Sequence, residues 1–172
     1  MEYVNEYIDL INDAEIKRYA PIAANVNAES LRPFMRTSQL NYIQPLLGTA
    51  LYTELITNVS GSTTNADEDY MLTILKPALA NYISYEALPF ISAHISNKGT
   101  IHKQTETGVA IDPYAFKLIR DGLLKTAEIN LRLLKDYLET DSKLASPKHP
   151  LYRSCDSTGD SDIFFSGIEF GC

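Results

Sequence analysis

The stretch ADEDYMLTILKPALANYISYEALPFISAHI, Ala66 to Ile95, decides the fold. Leu72, Leu75, Ala78, Leu79, Tyr82, Ile83, Leu88 and Ile91 recur at mixed steps of three and four, the period of an α-helix. Beyond Pro77 the apolar residues occupy nearly every side of that helix, so other elements must enclose it. At 1.5 Å per residue it is roughly 45 Å long and needs several partners. Its start falls at Asn65 or Asp67, and the acids at 67, 68 and 69 sit where the positive end of the helix dipole favours them. Pro77 removes a backbone hydrogen bond and is expected to kink or split the helix near Lys76; Pro89 is a second expected bend.

The partners lie on both sides of this stretch. Upstream, Tyr3 to Ile11 reads as a first short helix or an arm, and AEIKRYA follows as a turn of helix capped by Asp13 and closed by Pro21. Ser30 is the expected N-cap of the next helix, with Pro33 in its first turn, Phe34, Met35, Leu40, Ile43 and Leu47 at helical spacing, and Pro45 and Gly48 ending it. Thr49 then caps a further helix, ALYTELITNV, before the polar loop SGSTTNA. Downstream, NKGTIHKQTETGVAI, 97 to 111, has two glycines and β-branched residues without a helical face, which predicts a loop or β-hairpin projecting from the body. Asp112 caps the last helix and Pro113 takes its first position; Phe116, Ile119, Leu123, Ala127, Leu131, Leu134 and Leu138 form its stripe.

The expected fold class is therefore all-α: an antiparallel helical bundle over residues 1–143, with a projecting loop or β-hairpin, followed by an extended C-terminal arm over 144–172. The arm shows no sustained period and cannot build a core alone. It nevertheless carries Tyr152, Ile163, Phe164, Phe165, Ile168 and Phe170, which suit docking on its own domain or another subunit.

Composition narrows function by exclusion. An apolar fraction of 45% with 22% charged residues excludes wholesale disorder. The longest near-apolar run, around Tyr82 to Ile95, is too short and too polar to span a bilayer, and MEYVNEYIDLIND has neither the basic region nor the cleavage site of a signal peptide. A net charge of −7 disfavours gripping phosphates, while an acidic lining would let DNA slide past without sticking. Cys155 and Cys172, between which a disulfide would close only a small terminal loop, are expected as free thiols, since a cytosolic chain normally keeps them reduced.

No constellation of reactive residues emerges. His94, His102 and His149 are scattered without a second ligand at fixed spacing, so no metal site is expected. Asp156, Asp160 and Asp162 around Gly159 lack the glycine position and bidentate Glu of a calcium loop. Neither GxGxxG nor GxxxxGK[ST] occurs, and nothing holds Cys155 against His149 in a rigid pocket. No catalytic residue and no cofactor are expected, and the chain reads as a non-enzyme.

Three stretches, DAEIKRYAPIAANV at 13–26, QLNYIQPLLGTALYTEL at 39–55 and EALPFISAHISNKG at 86–99, resemble in order and spacing the head-to-tail adaptor, or connector ring, proteins of tailed bacteriophages, including crAss-like phages. The similarity spans roughly residues 8–140, and the Ile-x-Pro-Leu-Leu-Gly-x-x-Leu-Tyr block at 43–52 is its most specific part. The resemblance implies a structural virion protein at the head–tail junction, assembled in the host bacterial cytoplasm. It would form a homo-oligomeric ring, commonly a dodecamer of about twelve copies closed by a rotation axis. The portal protein and neighbouring neck or tail proteins would be its partners, and DNA would pass through without sequence-specific binding. Ile101, Val109, Tyr152, Phe164, Phe165 and Phe170 are the candidate interface residues, drawn from the projecting segment and the arm. The alternative is a helical oligomeric binding or regulatory module that never enters the particle.

Overall fold

The computed structural model describes residues 8–22, 26–61, 66–96, 99–102, 112–139, 149–152, 163–165 and 168–170. The described chain is all-α apart from short paired strands. Its helices are α1 (Asp13–Tyr19), α2 (Arg32–Ser38), α3 (Gln44–Gly61), α4 (Ala66–Ser92) and α5 (Pro113–Glu139). β1 (Ala93–Ser96) pairs antiparallel with β2 (Gly99–His102), and β3 (Ile163–Phe165) with β4 (Ile168–Phe170). Among the described residues no helix is long and apolar enough to cross a membrane.

α4 is the centre of the structure, as its all-round apolarity requires. Leu75, Ala78, Leu79, Ala80, Tyr82, Ile83 and Ala87 are fully buried on successive turns. α5, α1 and α2 pack around it, and Leu47, Leu51 and Leu55 of α3 join the same core. Tyr42 lies flat on Tyr82, ring centroids 4.0 Å apart, and its hydroxyl donates to Glu86. Burial first, then that hydrogen bond, holds the Tyr42 phenol well above the usual tyrosine range.

Helix boundaries follow local chemistry, with several departures from expectation. The cap of α1 is Asn12 rather than Asp13: Asn12 Oδ1 accepts the Glu15 N–H at 2.9 Å, while Glu15 Oε2 accepts the Asn12 N–H at 3.0 Å, a reciprocal capping box. Leu31 rather than Ser30 precedes α2, because Asn27 caps a 3₁₀ turn over Ala28–Ser30 that delivers the chain into it. Pro33 sits in the first turn of α2, as its missing N–H dictates.

Pro45 does not end a helix. A π turn over Gln39–Ile43 precedes it, with the Gln44 N–H bonded to the Gln39 carbonyl. This wider turn makes room for the proline ring against the preceding carbonyls. Gly48 does break the path: its φ of 75° and ψ of 158° lie where side-chain-bearing residues are strained, and a new helical run starts at Thr49.

α4 is not split at Pro77 or Pro89; both lie inside one helix, and the Asn81 side chain donates to the Pro77 carbonyl at 2.8 Å. It is shorter than the sequence stretch at its far end, because Ala93 to Ile95 pair in β1. Strand pairing therefore starts before residue 97, where only the following segment was expected to form a loop or β-hairpin, and 103–111 lie outside the described residues. Asp112 caps α5 as its position predicts, accepting from the Tyr114 and Ala115 N–H groups.

The expected boundary at 143/144 meets one clear observation. Tyr152 is 4% exposed and belongs to the main core, with its hydroxyl 3.5 Å from Glu139 at the end of α5. The turn at 149–152 thus packs on the helical body.

Candidate functional site

α5 carries two apolar faces. Leu123, Ala127, Leu131, Leu134 and Leu138 are buried against the core. At 100° per residue, Leu118, Ile129 and Leu133 fall within about 60° of one another and lie about 150° around the helix from that stripe. All three are more than half exposed. Tyr114, one turn before Leu118, is 69% exposed. Gly122, Lys125 and Thr126 lie between them, and a Cβ added at Gly122 meets nothing within 4 Å. Scattered exposed leucines are ordinary, but a line of them about 22 Å long on one helix is the pattern of a contact surface. Ile119, expected in the core stripe, is instead 46% exposed: at 100° per residue it stands about 80° from the centre of the buried stripe.

The candidate interface residues are distributed differently. Tyr152 is enclosed within its own chain. Ile101 is in β2, Phe164 and Phe165 in β3 and Phe170 in β4, while Val109 lies outside the described residues. Cys155, Cys172 and Asp156, Asp160 and Asp162 also lie outside them.

An open cleft of about 350 Å³ runs beside α1, with Asp9, Asn12, Glu15, Arg32 and Lys76 among its lining. Its polar groups serve the fold. Lys76 Nζ is 2.6 Å from Glu15 Oε1, and Glu15 and Asn12 form the cap of α1. Asp9 Oδ1 is buried without a hydrogen-bond partner, and burial raises the Asp9 pKa against the lowering effect of Arg32.

A third cluster escaped the sequence reading. Glu54 on α3, Glu68 in the first turn of α4 and His149 bring one potential ligand atom each within 4.8 Å of one another. His149 Nε2 is 3.8 Å from Glu54 Oε2. Glu68 is 3% and His149 7% exposed. Oε2 of Glu54 and Oε2 of Glu68 are both buried without a hydrogen-bond partner. Burial, and next the Glu54 charge, raises the Glu68 pKa. With the two acids 14 positions apart and the histidine 81 positions further on, no sequence spacing announces the group. The outer face of α5 also escaped the sequence reading, although a signal for it exists: Leu118, Ile129 and Leu133 stand off the main stripe at helical intervals.

Residues 43–161 match the model of a family of unknown function, DUF6712, and the chain belongs to that family. No curated protein and no solved structure matches the chain.

Proposed function

We propose that this member of the DUF6712 family is a structural subunit that self-associates through the outer face of α5, as a ring at the head–tail junction of a tailed phage. The observation that carries the self-association is the exposed line of Leu118, Ile129 and Leu133 opposite the buried stripe. A helix with apolar residues on two opposite sides needs a covering on both, and the fold supplies one. A second copy of the same helix, approaching closely at Gly122, supplies the other. The place in the phage neck rests on the resemblance of residues 13–26, 39–55 and 86–99 to connector proteins.

In this reading the helices form an antiparallel bundle, the β1–β2 pair projects from it, and the C-terminal residues reach a neighbouring subunit. The portal and adjoining neck proteins flank the ring, and the subunit performs no catalysis. Charge fits the role: about a dozen copies of a −7 chain place on the order of eighty negative charges around the ring, which disfavours tight phosphate contacts. Electron microscopy of the purified protein, alone and mixed with its portal, tests the proposal. Rings with a central opening that dock on the portal are expected. Isolated particles of single-chain size, with no binding to the portal, would refute it.

A further inference from the structure

We propose that Glu54, Glu68 and His149 bind a divalent transition-metal ion of the zinc class, which clamps the 149–152 turn to α3 and the first turn of α4.

Acidic residues gathered on a surface carry no such inference. Here the carboxyl of Glu68 is withdrawn from water, with 3% of the residue exposed, and its Oε2 has no hydrogen-bond partner. Oε2 of Glu54 is in the same condition. An unpartnered buried carboxylate oxygen costs free energy, and two facing one another cost more unless a cation lies between. Among the described residues no lysine or arginine pairs with either acid; the nitrogen group within reach is the His149 imidazole, 3.8 Å from Glu54. A metal ion would satisfy both oxygens and the imidazole nitrogen together.

The donor set selects the ion. Calcium and magnesium prefer all-oxygen shells, whereas an imidazole nitrogen beside two carboxylates suits zinc and its first-row neighbours. Tetrahedral ligands around zinc stand about 3.4 Å apart, so atoms already within 4.8 Å close on the ion by small side-chain rotations. Binding through His149 Nε2 places the ring proton on Nδ1 and gives up only the 3.4 Å contact from the Leu151 N–H. Glu54 is the least buried of the three, with 37% of its side chain exposed, and leaves the fourth position to water. The consequence is structural: His149 lies three residues before the core residue Tyr152, so the ion would fasten the end of the described body to its middle.

The test uses the full-length chain carrying Cys155→Ser and Cys172→Ser, so that thiols do not take up the metal. The protein is stripped with EDTA and dialysed against Zn²⁺; bound zinc is counted by mass spectrometry, and the thermal midpoint is followed by circular dichroism. One zinc per chain and a midpoint several degrees higher, reversed by EDTA, are expected. Glu68→Gln and His149→Ala should each abolish both effects, while Glu29→Gln, on the exposed 3₁₀ turn, should change neither. His149→Ala tests the site without altering a buried acid, so a folding defect in Glu68→Gln does not obscure the result. Zinc uptake that is absent, or equal in parent and His149→Ala, would overturn the proposal; the latter would mark adventitious binding at surface groups. A stripped Glu68→Gln protein that is stabilised while the parent takes up no zinc would overturn it in favour of a shared proton. These readings are independent of subunit association, so the two proposals stand or fall separately.

Discussion

Glu15 holds two elements at once: its Oε1 is 2.6 Å from Lys76 Nζ on α4, while its Oε2 accepts the Asn12 N–H at the start of α1. A short helix of seven residues has little stability alone, and this carboxylate both caps it and ties it to the central helix. Glu15→Ala should cost about 1–3 kcal/mol, because the cap and the charged hydrogen bond go together. Lys76→Met keeps the cap and should cost about 1 kcal/mol. Urea unfolding of the single and double variants gives the coupling directly.

Gly48 breaks the helical path with φ 75° and ψ 158°, a region nearly restricted to glycine. Nothing lies within 4 Å of an added Cβ, so the cost of Gly48→Ala comes from the backbone alone. Equilibrium denaturation should show a loss of about 1–3 kcal/mol with the m-value unchanged.

Asp9 gives the stability a pH signature. Its folded pKa is raised, chiefly by burial, so ionising it costs the folded state more than the unfolded chain. The penalty is complete above the folded pKa and is relieved as pH falls through that value towards the unfolded one. Asp9→Asn should therefore be more stable than the parent at pH 7, with the gap closing below about pH 4. Thermal midpoints of both proteins across this range check the sign.

Tyr152 tests where the folded body ends. With 4% of its surface exposed and its place in the main core, Tyr152→Ala should cost about 3–5 kcal/mol in denaturant unfolding. A negligible loss would place residue 152 outside the cooperative unit.

Much of the fold was legible in the sequence because periodicity and capping are local. The burial of α4 on all sides, the Asp112–Pro113 start of α5 and the break at Gly48 each follow from a few adjacent residues. What was not legible depends on distant ones. Pro45 is carried through the helix by a π turn whose buried Gln39 side chain accepts the Leu10 N–H at 2.9 Å, a contact across 29 residues. The Asn27 cap displaces Ser30 for a similar reason: the 3₁₀ turn orients the entry to α2, which residue preferences alone do not encode. Glu54, Glu68 and His149 meet only once α3, α4 and the 149–152 turn are packed. The second face of α5 was in the sequence throughout, but the strength of the first stripe masked it.

The most direct measurement is the solution mass of the full-length protein by light scattering on a sizing column, beside a Leu118→Asp/Leu133→Asp variant. Both residues are more than half exposed, so the substitutions should leave the helical circular dichroism signal unchanged. The parent is expected to be a multi-chain assembly and the variant a 19.2 kDa monomer. A parent that is monomeric, or a variant that keeps the parent's mass, would contradict self-association through the outer face of α5.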